Sequence, residues 1–204
     1  MSYDYVIVMD SDGEDRPVEI KELLDKILKF PGISVVAKRI KRSEGLIFKT
    51  LYQIHKLLTY VFSGQNVNFG NYSCLTNTDV KNLYDKPSLW SSFSGTVKKY
   101  VLNLNEINSM RGQRYFGPSK MSLFNLVIHS FSIIAVFKNV VFLRSVFTII
   151  LLALLNDLLG SLSIFLQILL VIFNLTIFCV SFRENEKALL NSNENILNEE
   201  NIVH

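Results

Sequence analysis

The sequence predicts an α/β layer at the front of the chain, followed by an amphipathic helix and a two-helix membrane hairpin. Three observations carry this reading. Short apolar runs alternate with amphipathic segments before residue 63. Two apolar stretches of about twenty residues lie after residue 139, each long enough to cross a bilayer. The composition, 49% hydrophobic and 19% charged over 204 residues with a mean hydropathy of +0.27, excludes a disordered chain, a collagen and a coiled coil.

The elements follow in chain order. Tyr5 to Met9 (YVIVM) is apolar without alternation, the pattern of a strand covered on both faces. It ends in Asp10-Ser11-Asp12. Pro17 opens a helix whose Ile20, Leu23, Leu24, Ile27 and Leu28 form one stripe, stopped by Pro31-Gly32. Ile33 to Ala37 (ISVVA) predicts a second buried strand. Ser43 can cap a helix running to about Phe62, with Leu46, Ile47, Leu51, Ile54, Leu57, Leu58 and Val61 on its buried side. Beyond it lie a polar stretch from Asn66 to Ser73, a short helix capped near Thr78, another around Trp90, and a strand near Leu102 to Ile107. No internal repeat is visible.

The segment 119–138 carries Leu123, Phe124, Val127, Ile128, Phe131, Ile134 and Ala135 at helical spacing and reads as a helix lying in the membrane interface. Residues 140–159 and 162–182 then form two spans. Gly160-Ser161 leaves almost no loop between them. Lys120, Lys138 and Arg144 precede the pair, Arg183 and Lys187 follow it, and the turn has no basic residue, so both termini are expected in the cytoplasm. The expected domains are thus 1–118, 119–138, 139–183 and a polar cytoplasmic tail, 184–204.

The net charge of +3 conceals an asymmetry. From Lys81 to Arg144 nine Lys or Arg face only Asp85 and Glu106, directly before the apolar segments. Such a block suits anionic headgroups or a phosphorylated lipid, and nucleic acid is not an expected partner. Two cysteines, Cys74 and Cys179, give neither a disulfide framework nor a metal knuckle. The acidic N-terminus lacks the basic flank and apolar run of a cleaved leader.

At a strand end, residues two apart project to one face, so the carboxylates of Asp10 and Asp12 can converge on a divalent cation, with Glu14 as a third oxygen donor. Such ligands suit Mg2+ or Mn2+ bridging a diphosphate.

The run Val6-Ile7-Val8-Met9-Asp10-Ser11-Asp12-Gly13-Glu14-Asp15-Arg16-Pro17 resembles the aspartate motif of family 2 glycosyltransferases of the polyprenyl-phosphate type, the dolichyl-phosphate mannose synthase group. Lys38-Arg39-Ile40-Lys41-Arg42 stands where that family keeps paired arginines. Arg111-Gly-Gln-Arg114-Tyr-Phe-Gly117-Pro-Ser119-Lys120 resembles its Arg-x-x-Arg…Gly-x-Ser-Lys element, which also precedes an interfacial helix and a membrane hairpin in many bacterial members. The resemblance covers nearly all of Tyr5 to Phe182. It departs at Glu14, where glutamine is common, and at Arg16, where proline is usual.

The resemblance implies that 1–118 is the C-terminal part of a GT-A-type domain. It implies a hexosyltransferase in which Asp10 and Asp12, with Glu14, hold Mg2+ or Mn2+ on a nucleotide-sugar donor. It further implies that Arg39, Arg42, Arg111, Arg114, Ser119 and Lys120 hold the phosphate of a polyprenyl-phosphate acceptor at the cytoplasmic membrane face. A phosphate oxygen is already anionic near neutral pH, so this acceptor needs cations around it more than a general base. The family places its first strands, and the groups that hold base and ribose, before the aspartate motif; here only residues 1 to 9 precede it. The expectation is an incomplete donor site, with an unpaired edge on Tyr5 to Met9. A different acceptor, and a membrane-anchored non-catalytic remnant or interaction subunit, are the competing readings. Self-association is open.

Overall fold

The computed structural model describes residues 3–41, 46–115, 122–189 and 191–192. The layer is a four-stranded mixed sheet of β1 (Tyr5–Val8), β2 (Ser34–Lys41), β3 (Phe69–Thr76) and β4 (Leu104–Met110), in the order β1-β3-β2-β4. β3 runs antiparallel to both β1 and β2, and β2 pairs with β4 in parallel. Strands β1 and β4 are therefore the two edges.

The sequence expectation for the first strand needs correction. Its four residues are half-buried and Met9 is exposed, because β1 has a ladder on one side only. The second strand behaves as expected and extends further: Ser34, Val35, Val36 and Ala37 are buried before the run turns polar. β3 occupies the polar stretch from Asn66 to Ser73, which gave no strand signal. Its Tyr72 to Thr76 are buried because β3 lies between two neighbours, and that position outweighs its Gly and Asn content.

Around the sheet lie α1 (Ile20–Lys29), entered through a 3-10 turn at Pro17–Glu19, and three short helices, α3 (Asn77–Leu83), α4 (Ser88–Ser91) and α5 (Phe93–Tyr100). Leu23 and Ile27 of α1 pack on Val35, Ala37, Tyr72, Cys74 and Ile107, while Leu28, expected in that stripe, is exposed. On the other face Leu83, Val97 and Val101 pack on Val36, Phe69 and Leu75. Thr76 caps α3 by accepting from Asp79 N at 3.2 Å. Ser43, expected to cap the next helix, lies outside the described residues; that helix, α2, covers Leu46–Ser63.

The apolar half consists of α6 (Leu123–Ala135), α7 (Lys138–Leu154), α8 (Asn156–Leu159) and α9 (Ser161–Ser181). Among the described residues one candidate span, Ser161–Leu189, with α9 as its apolar part, is long and apolar enough to cross a membrane. α6 and α7 together make a second candidate if the pair, bent by 86°, is counted as one span. α7 and α9 pack side by side, joined through α8 and a left-handed Gly160 (φ 55), and Ser163 Oγ donates to Leu152 O at 2.6 Å across them. Ile133 to Phe137, Val141 and Ile177 form the core where α6, α7 and α9 meet, with Leu58 and Phe62 of α2 packed against it.

Candidate functional site

The chain leaves β1 at Val8 and turns at once. Asp10 N donates to Asp15 Oδ2 at 2.9 Å, Glu14 N donates to Asp12 Oδ1 at 3.0 Å, and Gly13 between them is left-handed at φ 91. Asp12 therefore sits in a turn, and the alternation of an extended strand end, expected to place Asp10 and Asp12 on one face, does not operate there. The loop closes on its own backbone instead.

Against this loop lies the segment after β4. Gly112 N donates to Glu14 O at 2.8 Å and Tyr115 N to Asp12 O at 2.9 Å. Approach is so close that a methyl group on Gly112 would run into the Gly13 carbonyl oxygen. Side chains complete the seam. Arg111 donates to Glu14 Oε2, Arg114 Nε donates to Glu14 Oε1 at 2.7 Å, and Arg114 reaches Asp12 Oδ2 at 3.1 Å. Burial alone would push the Glu14 carboxyl up, but hydrogen bonds and charge from Arg114 and Arg111 outweigh it and hold the group below its ordinary value.

Behind the loop, Asp15 is buried, and burial pushes its carboxyl up despite the Asp10 N–H and Arg39, whose terminal nitrogen lies 3.8 Å from Asp15 Oδ1. Arg39 reaches across the sheet over Gly70, where a side chain would collide with its guanidinium. Asn71 of β3 donates to Asp10 Oδ1 at 3.0 Å. Glu19 fastens the far side, accepting from Ser109 Oγ at 2.7 Å and Met110 N at 3.2 Å, immediately before Arg111. Tyr72 donates to Arg16 O at 2.8 Å, and burial, with the charges of Glu19 and Asp15, raises its hydroxyl to about 12.

Five of the residues singled out in the sequence, Asp10, Asp12, Glu14, Arg111 and Arg114, thus share one seam, and Arg39 joins it through Asp15. Arg42, Ser119 and Lys120 lie outside the described residues. Asp15, Asn71 and Glu19 were missed. Asn71 lay in a stretch without a strand signal, whereas the acidic run from Asp10 to Asp15 already contained Asp15. Three other basic residues have structural partners: Lys99 Nζ donates to Val136 O at 2.7 Å, Lys86 pairs with Asp85 at 2.7 Å, and Lys138 with Glu184 at 2.6 Å.

As a metal site the donor set fits in part. Both Glu14 oxygens are engaged by guanidinium groups, and no three His, Cys, Asp or Glu side chains converge among the described residues. Asp12 is engaged in the same way, by the Glu14 N–H on Oδ1 and by Arg114 on Oδ2, so Asp10 and Asp12 could hold a hard divalent cation only if Arg114 gave way. Compared with known proteins, the chain matches no family model, no curated protein and no solved structure.

Proposed function

We propose that the chain is a membrane-associated family 2 glycosyltransferase, transferring a sugar from a nucleotide-sugar donor to a polyprenyl phosphate at the cytoplasmic membrane face. One observation carries the reading: the acidic loop at 10–15 and the basic segment at 111–114, about a hundred residues apart, are drawn into one seam at the end of β1. That seam lies on the chain just before the apolar helices, so a lipid-borne substrate and a water-soluble one have access to the same groups.

In this reading Asp10 and Asp12 would hold a Mg2+ or Mn2+, which would supply charge neutralisation for the departing nucleotide diphosphate. Asn71 orients Asp10 through its amide hydrogen bond, and the Glu14 N–H orients Asp12. Arg111 and Arg114 exchange carboxylate partners for phosphate oxygens, since a guanidinium forks equally well onto either. Arg39, paired with Asp15, backs the loop from the sheet. The α7–α9 pair serves as a hairpin of two spans with both termini cytoplasmic.

The test is transfer of radiolabelled sugar from uridine and guanosine sugar nucleotides to polyprenyl phosphate in membranes containing the full chain. Manganese-dependent labelling of the lipid, lost with Asp12→Asn, is the expected result. Equal labelling with Asp12→Asn removes Asp12 from the chemistry.

A second reading has its own support. The guanidinium groups already neutralise Glu14 and Asp12, as in a purely structural ion-pair cluster, and β1 keeps an open edge. A membrane-anchored interaction subunit would look like this. Manganese titration discriminates: such a subunit leaves the metal unbound.

A further inference from the structure

The sequence expects Ile54, Leu57 and Val61 on the buried side of α2. The structure exposes them instead, at 49%, 61% and 52%, together with Tyr60 at 61%. The opposite face holds Thr59 and Ser63 buried and packs Leu58 and Phe62 against the core of the apolar helices. From Gln53 to Ser63 the exposed positions are Gln53, Ile54, Leu57, Tyr60 and Val61, none of them charged, and the one lysine of the stretch, Lys56, is half-buried. A helix facing water would show charged residues there.

The position of α2 says what covers this face. Arg144 of α7 donates to Val61 O at 2.9 Å and lies against Gly64, so the C-terminal end of α2 is pinned to α7. Arg144 stands six residues into α7, about 9 Å along its axis. If α7 crosses the bilayer, the end of α2 sits at the depth where headgroups give way to acyl chains. Arg144 then spends its charge on a helix C-terminus, which explains an arginine inside the apolar run. α6 lies beside α2 and makes a right-angled corner with α7 (86°), with Phe124 and Val127 exposed on it.

We infer that α2 is a second interfacial helix, its Ile54, Leu57, Tyr60 and Val61 face seated on the acyl chains of the lipid bilayer beside α6. This rests on the membrane part of the proposed function and is independent of the transfer chemistry. Tyr60 suits the interface, where its ring meets hydrocarbon and its hydroxyl meets water.

The test uses the full chain with Cys179→Ala, in vesicles of phosphatidylcholine and phosphatidylglycerol. Cys74 is buried and shielded from the label. An environment-sensitive fluorophore is placed singly at Leu57→Cys, Val61→Cys, Leu102→Cys and Phe165→Cys. Leu102, 96% exposed, is the aqueous reference, and Phe165 of α9 is the span reference. The expected result is quenching by lipids brominated in their acyl chains at positions 57, 61 and 165, at least about twofold stronger than at position 102. Quenching at 165 with positions 57 and 61 behaving like 102 overturns the inference alone. Loss of quenching at 165 as well overturns the membrane reading beneath it. Disulfide-linked pairs through Leu57→Cys, without lipid quenching there, assign the face to a second copy and also overturn it.

Discussion

Arg114 joins two carboxylates that the turn holds two residues apart: its Nε donates to Glu14 at 2.7 Å, and a terminal nitrogen lies 3.1 Å from Asp12. One guanidinium therefore closes the acidic loop and fixes its distance from the end of β4. Arg114→Met is expected to lower the unfolding temperature, by less than the loss of a fully buried pair would, because Arg111 still holds Glu14. Arg114→Lys should recover little of the loss, since an ammonium cannot fork between two acceptors. Thermal unfolding in detergent measures both, and unchanged transitions would show the contact to be idle.

Glu14 and Asp15 respond to pH in opposite senses. The arginine pair depresses Glu14, so its contribution is present above its ordinary value of 4.5 and fades as pH falls through the lower folded value. Burial raises Asp15, so its contribution is present below 3.8 and is lost as pH rises through the higher folded value. Glu14→Gln should flatten the acid side of the stability profile, and Asp15→Asn should remove a loss of stability as pH rises above 3.8. Parallel profiles for Glu14→Gln and the native chain in the acid range would count against the clamp.

Gly112→Ala should be among the costlier single changes in the soluble layer. The added methyl meets the Gly13 carbonyl oxygen, which the same seam holds in place, so neither side can yield cheaply. A loss of about 2 kcal/mol is expected from overpacking, together with weakened Gly112 N–H to Glu14 bonding. Denaturant titration tests it, and a native-like midpoint would mean that the seam is looser than drawn.

These residues also show what could be read in advance. The helix after Pro17 and the buried run from Ser34 to Ala37 declare themselves through periodicity and apolarity. Asp10, Asp12, Arg111 and Arg114 stand out as charge beside a turn or an apolar segment. What periodicity cannot report is partnership. Phe69–Thr76 forms a strand because it lies between β1 and β2, and Asn71 reaches Asp10 only through that pairing. Nor does an apolar stripe reveal its partner: Ile54, Leu57 and Val61 have the pattern of core residues, but the core lies on the other side of α2.

The proposed hairpin makes a topological prediction. A cysteine at Ser161, in the turn between α8 and α9, should react with an impermeant thiol reagent only from the face opposite the soluble layer. Sealed vesicles of both orientations provide the measurement. Labelling from the cytoplasmic face alone would place the turn on the wrong side.

During synthesis the acidic loop emerges about a hundred residues ahead of Arg111 and Arg114, so Glu14 and Asp12 wait for their partners while Arg39 and Asn71 reach Asp15 and Asp10 earlier. β3 meets both of its neighbours as soon as it is made, since β1 and β2 precede it, and β4 comes last of the four. Those arginines leave the ribosome just ahead of α6, so the seam locks as the apolar helices begin to appear. A nascent chain arrested before Arg111 should expose an open, negatively charged turn. One long enough to bring Arg114 clear of the ribosome should carry the closed seam ahead of the apolar helices.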